Sequence, residues 1–242
     1  MELKKISDRI YYLTAEEETD RPVLGYVKGN KYSLAIDAGN SAKHVEKFYF
    51  ELHKANLKLP DYTVITHWHW DHTFGMHAAA GKTIAGHETN NKLKEVMTWK
   101  WSAADMKARL ETGKDIELCD RCIKIEYPNR EDIKVISADI EFKGSVTLAL
   151  GGIHCEIMET KAPHSEDSVL IYIPEEKTIF IGDADCEDYY DNNGQYDKEK
   201  LQAFIELIKG IEFNTYVLGH DEPQTKHEVI TYLADELRKL HR

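Results

Sequence analysis

The sequence contains no long apolar run. Nothing in its 242 residues approaches the roughly 20 consecutive apolar residues that a membrane-spanning helix needs. The N-terminal stretch MELKKISDRIYYLTAEEETD carries basic residues but no apolar core of signal-peptide length. We therefore expect a cytoplasmic protein with no membrane partner.

Cysteine is also scarce, and its spacing does not resemble a disulfide framework. The chain has four cysteines. Cys119 and Cys122 form a C-x-x-C pair, a spacing that can serve zinc or redox chemistry. The second pair that a zinc ribbon requires is absent. We interpret these two cysteines as incidental or as a minor stabilising feature.

Positive charge is in deficit. The 31 Lys and Arg residues stand against 43 Asp and Glu residues, which gives a net charge of −12. Because the sequence shows no basic stripe, we expect phosphate backbones to repel the chain and predict no nucleic-acid partner. Low-complexity segments, tandem repeats and linkers rich in Gly, Ser or Pro are missing too. We therefore predict a single domain over residues 1–242.

The order of the predicted elements indicates the fold class. Strand-like runs and a helix fill the first third of the chain, and Ser41 is a plausible N-cap for that helix. A second series of strands, including IKVIS over residues 133–137, is followed by two helices separated by a strand. This recurring order predicts an α+β fold with two sheets packed face to face and helices outside, in four layers.

Residues 101–130 have a less regular pattern. SAADMKARLETG is helix-like, whereas KDIELCDRCIKIEYPNRED is charged and reads as irregular. We interpret this region as an insertion over one rim of the fold. Insertions of this kind serve as lids or binding loops, and many others are only decoration.

The stretch TVITHWHWDHTFG, residues 63–75, contains the densest group of metal-capable side chains. His67, His69, Asp71 and His72 follow a β-branched run directly. Residues at the end of a strand can converge on one point, and imidazole and carboxylate groups suit zinc, iron or manganese. Four such residues exceed what one ion needs locally, so the cluster predicts two metal ions.

Three further candidate ligands lie far along the chain. His164 precedes one strand-like run, Asp183 follows the next, and His220 follows a third. Chain segments just beyond strand ends gather at one edge of a sheet. The total of five histidines and two aspartates is enough for a dinuclear site.

With this ordered series, the sequence resembles the metallo-β-lactamase superfamily. The resemblance runs from about residue 10 to residue 220 and rests on IDAG with Asp37, on HWHWDH, and on the three distant residues. It implies a four-layer αββα sandwich with the metals at one edge of the two sheets. It also implies that Asp37 supports the site from behind. The ligand set is most similar to that of the glyoxalase II and lactonase-like branch.

The resemblance further implies which residues hold each metal. The first ion would be held by His67, His69 and His164, the second by Asp71, His72 and His220, with Asp183 bridging both. Zinc is the expected metal, with iron or manganese as alternatives. A water or hydroxide bridging the two ions would be the nucleophile, and Asp71 would orient it as the catalytic residue.

These features predict a metal-dependent hydrolase of a small carboxyl ester, thioester, lactone or lactam. The alternatives are a phosphodiesterase for small substrates and, from another class, a di-iron redox or metal-binding protein. Two sets of residues are candidates for the mouth of the site: the acidic and aromatic residues Asp185, Glu187, Asp188, Tyr189 and Tyr190, and the tryptophans Trp68, Trp70, Trp99 and Trp101. The substrate is a small molecule whose identity the sequence leaves open.

Overall fold

A computed structural model describes residues 1–240 of the chain. Its first sheet has seven strands in sequential order, β1 to β7. Strands β1 to β4 pair antiparallel, and β4 to β7 pair parallel. Their bounds are Leu3–Lys5, Ile10–Leu13, Leu24–Lys28, Ser33–Ile36, Tyr62–Val64, Lys82–Gly86 and Ile140–Phe142.

The second sheet has six strands, β8 to β13, in the spatial order β13-β12-β11-β10-β9-β8. Only β11 and β12 are parallel neighbours; the other pairs are antiparallel. Their bounds are Ser145–Ala149, His154–Glu159, Val169–Ile173, Thr178–Gly182, Thr215–Leu218 and Gln224–Thr225.

The described residues also form seven α-helices, α1 to α7. Their bounds are Ala42–Lys54, Trp70–Thr73, His87–Val96, Ala103–Glu111, Glu117–Glu126, Lys198–Gly210 and Lys226–Lys239. Helix α1 begins as predicted, because the Ser41 hydroxyl accepts a hydrogen bond from the His44 backbone N–H. Within residues 1–240, every helix is too short or too polar to cross a membrane.

Successive side chains along a strand point to opposite faces of the sheet and so pack in different layers. In β11, Phe180 points into the cluster between the two sheets, whereas Ile179 and Ile181 pack in the cluster that covers the outside of the second sheet. Helices α6 and α7 supply Leu201, Phe204, Ile205, Ile208, Val229 and Leu233 to that outer cluster. Helix α1 packs on the other sheet through Phe48 and Leu52. The structure confirms the predicted four-layer αββα sandwich.

The 101–130 region is more regular than the sequence indicated. The segment read as irregular contains helix α5, whose buried face holds Cys119, Cys122, Ile123 and Glu126. These buried residues recur at helical spacing. The sequence did not indicate a helix because the buried face includes two cysteines and a charged glutamate, which do not form an apolar pattern. Both cysteines are free and pack with Trp70 in a small separate core.

The predicted strand over residues 133–137 is wrong. This segment is extended but unpaired, and the backbone that follows it bonds to side chains instead of to a sheet. The Ala138 N–H donates to Asn90 Oδ1 at 2.8 Å, and the Asp139 N–H donates to Thr83 Oγ1 at 2.9 Å. Ile133 packs into the small core with α5. Val135 and Ile136 pack against a cluster that contains Ala85 of β6 and Leu93 of α3. The apolar residues that suggested a strand therefore cover existing elements without joining a sheet.

Candidate metal centre

The histidine-rich stretch forms a turn from strand β5 into the short helix α2. His67 and His69 lie in the turn, and Asp71 and His72 lie in the first residues of α2. Strand β5 is parallel to its neighbours β4 and β6, so the turn lies at the carboxyl edge of these strands. All four side chains are buried.

The second sheet delivers the remaining residues to the same place. Asp183 directly follows β11 and His220 follows β12, and these two strands are parallel neighbours. Gly219 permits their close approach, because a Cβ atom there would overlap Asp183 Oδ1. His164 lies in the loop between β9 and β10. The structure therefore brings together all seven residues that the sequence singled out.

The seven side chains form two groups. The first is His67, His69 and His164; the second is Asp71, His72, Asp183 and His220. Within each group, one nitrogen or oxygen atom per residue lies within 4.8 Å of the corresponding atoms of the others.

Asp183 lies between the two groups. Its Oδ2 is 3.3 Å from His72 Nε2 and 3.4 Å from His220 Nε2 in the second group. The same oxygen is 3.7 Å from His164 Nε2 and 3.9 Å from His67 Nε2 in the first group. One carboxylate oxygen therefore faces imidazole nitrogens from both groups.

In three histidines, the ring nitrogen that points away from the cluster makes a hydrogen bond that fixes the orientation of the ring. His67 Nδ1 lies 3.1 Å from Thr66 Oγ1, and His164 Nδ1 lies 2.7 Å from the Glu187 carbonyl oxygen. His72 Nδ1 donates to Asp37 Oδ2 at 2.8 Å. These contacts aim the opposite nitrogen of each ring at the cluster.

Asp37 thus lies behind the cluster, as the resemblance implied. Its Oδ1 accepts a hydrogen bond from the Thr66 backbone N–H at 2.8 Å, and the Thr66 hydroxyl also donates to Asp37. Neither Thr66 nor the Glu187 carbonyl stands out in the sequence. A backbone carbonyl leaves no trace in residue types, and a threonine beside a histidine is too common to stand out.

Burial and neighbouring charge set the protonation of the cluster. Burial, with adjacent imidazoles, lowers the pKa of His67 and His69 well below the usual value. Burial would also lower the pKa of His72 and His220, but nearby carboxylates outweigh it and raise both. Burial alone would raise the pKa of Asp183, but His220 and His72 hold it well below normal.

Two buried atoms test whether these residues fit metal ions. His67 Nε2 and Asp183 Oδ1 have no hydrogen-bond partner in the described structure. The Thr66 hydroxyl donates to Asp37, so His67 Nδ1 carries the proton that it donates to Thr66, and Nε2 presents a lone pair. A buried lone pair without a donor is costly. Imidazole and carboxylate lone pairs that face one point fit divalent transition-metal ions.

A cleft of about 190 Å³ opens beside the first group. His69 and His164 line it together with the aromatic rings of Trp68, Trp99 and Tyr190. Lys92, Glu95, Lys114, Asp188 and Asp191 add charged groups, and the insertion contributes Lys114 and Gly113. The two lysines do not stand out in the sequence, because isolated lysines are ordinary surface residues.

The other mouth candidates lie elsewhere. Trp70 and Trp101 pack with Phe74 in or against the small core of the insertion. Asp185 is buried and accepts a hydrogen bond from the Tyr216 hydroxyl at 3.1 Å. Asp185 and Glu187 both line a second cavity, of about 390 Å³, which also reaches His220. Tyr189 lines neither of these two cavities.

Comparisons with known proteins agree with this arrangement. A family model described as the metallo-beta-lactamase superfamily matches residues 23–220. A search among curated proteins found no significant match. Among solved structures, the DIM-1 metallo-beta-lactamase is similar with a TM-score of 0.66 and 19% identity, over 99% of each chain. A metallo-beta-lactamase from Pontibacter korlensis is similar with a TM-score of 0.62 and 18% identity, over 98% of each.

The sec-alkylsulfatase Pisa1 from Pseudomonas sp. is similar with a TM-score of 0.70 and 14% identity. The match covers 98% of this chain but only 41% of the sulfatase, so this chain spans about two fifths of that protein. At these identities the structural matches establish the fold alone. The family model covers most of the sequence, and the chain therefore belongs to the metallo-beta-lactamase superfamily.

Proposed function

We propose that this protein is a metal-dependent hydrolase of a small carboxyl derivative: an ester, thioester, lactone or lactam. The observation that carries the proposal is the position of Asp183 Oδ2, which lies within 3.9 Å of imidazole nitrogens from both groups of the cluster. The names of the structural neighbours, beta-lactamases and an alkylsulfatase, are those of hydrolases and support the same reaction class.

The first group would hold one divalent ion and the second group another, with Asp183 shared between them. Zinc suits this set of imidazoles and carboxylates best, and iron or manganese can occupy the same ligands. When bound, the ions would supply Lewis acidity and lower the pKa of a water molecule in the site. This ligand set is most similar to that of the glyoxalase II and lactonase-like branch.

Asp71 has a second task in this proposal. Burial would raise its pKa, but His72 and His220, whose Nε2 atoms lie 3.0 and 3.1 Å from its Oδ2, hold the pKa well below normal. Asp71 therefore stays ionised at neutral pH. It can accept a hydrogen bond from the attacking water and fix the direction of its lone pair, which lowers the entropic part of the barrier.

The cleft beside His69 and His164 would take the acyl part of the substrate. Its volume of about 190 Å³ is below the roughly 300–1,000 Å³ of sites for drug-sized ligands, so the buried group is small. Trp68 and Trp99 offer flat apolar walls. These walls favour contact with a planar or apolar acyl group.

A second candidate is the hydrolysis of an anionic ester, such as a small phosphodiester or a sulfate ester. Lys92 and Lys114 favour it, because both line the cleft and can face a phosphoryl or sulfuryl oxygen. The ion pair of Lys92 with Glu95 at 3.4 Å weakens this case. A di-iron redox protein, the remaining alternative, would keep iron through purification and hydrolyse nothing.

A hydrolysis panel on metal-replete protein tests the proposal. The panel sets lactones, thioesters and β-lactams against phosphodiesters and alkyl sulfates, each with a chelator control. We expect chelator-sensitive turnover of one carboxyl class. Turnover of anionic esters alone would replace the leading candidate by the second.

Two variants separate chemistry from general damage. Asp183→Asn should lose both metal and hydrolysis, because it removes the carboxylate shared by the two groups. Glu46→Gln changes an exposed acid on the outer face of α1 and should behave like the wild type. Full hydrolysis by metal-free Asp183→Asn protein would disprove the proposal.

A further inference from the structure

The outer ring nitrogen of His220 faces a carboxylate that is not part of the metal cluster. The outer nitrogens of His67, His72 and His164 each meet a hydrogen-bonding group. His220 turns Nε2 toward the cluster and Nδ1 toward the turn between β2 and β3. The nearest carboxylate there is Asp20, whose Oδ1 lies 3.7 Å from His220 Nδ1.

The turn that carries Asp20 is tightly built. Glu16 and Arg21 form an isolated antiparallel bridge, and the Asp20 N–H donates to the Glu17 carbonyl oxygen at 3.4 Å. Asp20 itself has φ of +57°, a left-handed conformation that Asp, Asn and Gly tolerate better than other residues. This conformation turns its side chain toward His220, and only 24% of that side chain is exposed.

The insertion holds this turn in place. Arg21 Nη2 lies 2.9 Å from both carboxylate oxygens of Glu126, at the end of helix α5. The Ser41 hydroxyl also donates to Glu126, at 2.5 Å, and the Glu126 side chain is only 3% exposed. A buried, multiply bonded ion pair of this kind fixes geometry more than a surface pair does.

Two further hydrogen bonds join the same segments. Asn40 Nδ2 donates to the Thr19 carbonyl oxygen at 2.8 Å, and the Tyr127 hydroxyl donates to the Asn40 carbonyl oxygen at 2.9 Å. The turn, the loop after β4 and the end of α5 are thus connected through buried polar contacts. Asp20 is therefore held at a fixed position on the Nδ1 side of His220.

We propose that Asp20 is a positioning residue that orients the His220 imidazole through Nδ1, and that the Arg21–Glu126 pair holds Asp20 in place. The proposal rests on the proposed metal-dependent function. At 3.7 Å the contact is longer than a direct hydrogen bond, and a small rotation of the imidazole ring would bring the two atoms within hydrogen-bonding distance. Through this contact, the insertion supports the second group of candidate metal ligands and also lines the cleft.

Cobalt(II) titration of the metal-free protein tests this, because absorbance reports each binding step without any need for substrate. We expect the wild type to bind two ions. Asp20→Asn and Asp20→Gly both suit the positive φ, so neither strains the backbone. In each we expect one step to weaken by about 10–100-fold and the other to stay unchanged. Arg21→Lys should act in the same direction, because lysine cannot make the two-oxygen contact.

Glu17→Gln is the matched control, since it removes an exposed charge from the same turn. Two unchanged binding steps in both Asp20 variants would overturn the inference. So would equal weakening of both steps together with a lower melting temperature of the metal-free variants, since that pattern means general loss of structure. A wild type that binds no cobalt would instead overturn the proposed function on which the inference depends.

Discussion

Replacing Gly219 by alanine should disable the metal centre through a single methyl group. A Cβ atom at this position would overlap Asp183 Oδ1 and come within 3.1 Å of Asp183 Cγ. The backbone of Gly219 cannot easily retreat. Its N–H donates to the Gly182 carbonyl oxygen at 2.8 Å, and its own carbonyl oxygen accepts from the Val23 N–H at 2.6 Å. The Asp183 side chain must therefore rotate away from the cluster.

The size of the effect follows from this geometry. Asp183 Oδ2 has to move by about 1 Å or more, and a displacement of that size at a reacting centre costs about 100-fold in rate. Over-packing should also destabilise the fold by about 1–3 kcal/mol. We expect Gly219→Ala to bind fewer than two metal ions and to lose about 100-fold in kcat/KM, while still folding.

Gly210→Ala supplies the matched control. Gly210 ends helix α6, and a Cβ atom there meets no other atom within 4 Å. Alanine is the better helix former by about 1 kcal/mol, so this variant should keep its activity and gain slightly in stability. Metal content, kcat/KM and thermal melting of both variants are the measurements. Wild-type metal content and rate in Gly219→Ala would refute the account of how Asp183 is placed.

Three further predictions follow from the same structure. Removing metal with a chelator should lower the melting temperature by about 5–10 °C in a thermal scan, because buried donors lose their shared cation; an unchanged melting curve would speak against bound metal. Asparagine at position 37 tolerates the positive φ of Asp37 but weakens the contact to His72 Nδ1. In a competition titration, the metal affinity of Asp37→Asn should therefore fall by about 10–100-fold. An affinity equal to that of the wild type would show that Asp37 is dispensable. Burial raises the pKa of Asp115 to about 6, so the folded protein binds this proton more tightly than the unfolded chain, and the contribution of Asp115 to stability should fall as pH rises from about 4 to 6. Denaturant unfolding of Asp115→Asn should therefore gain about 3 kcal/mol relative to wild type between pH 4 and 7, whereas a constant difference would contradict the shift.

The sequence predicted the fold and the seven clustered residues because each of those residues directly follows or precedes a strand-like run. His164, Asp183 and His220 are far apart in the chain, but the ends of adjacent strands must meet at one edge. The chemistry of the donors is also visible in the residue type alone. No packing detail was needed to expect that these side chains come together.

The parts that the sequence analysis missed depend on tertiary contacts. Helix α5 buries Glu126 through its pair with Arg21, and composition alone cannot indicate that a charged residue is paired. The segment 133–137 has strand-like residues but forms no strand: Ile133 packs with the insertion, and Val135 and Ile136 pack against the cluster that contains Ala85 of β6. Asp20 lies in an acidic run, EEETD, that reads as a solvated turn, and only its positive φ and its nearness to His220 distinguish it.

The most direct test of the two-metal centre is anomalous X-ray scattering from crystals of the zinc-loaded protein, recorded on both sides of the zinc absorption edge. We expect two peaks per chain, one among His67, His69 and His164 and the other among Asp71, His72 and His220, with Asp183 between them. A single peak, or peaks away from these seven side chains, would contradict the two-metal centre.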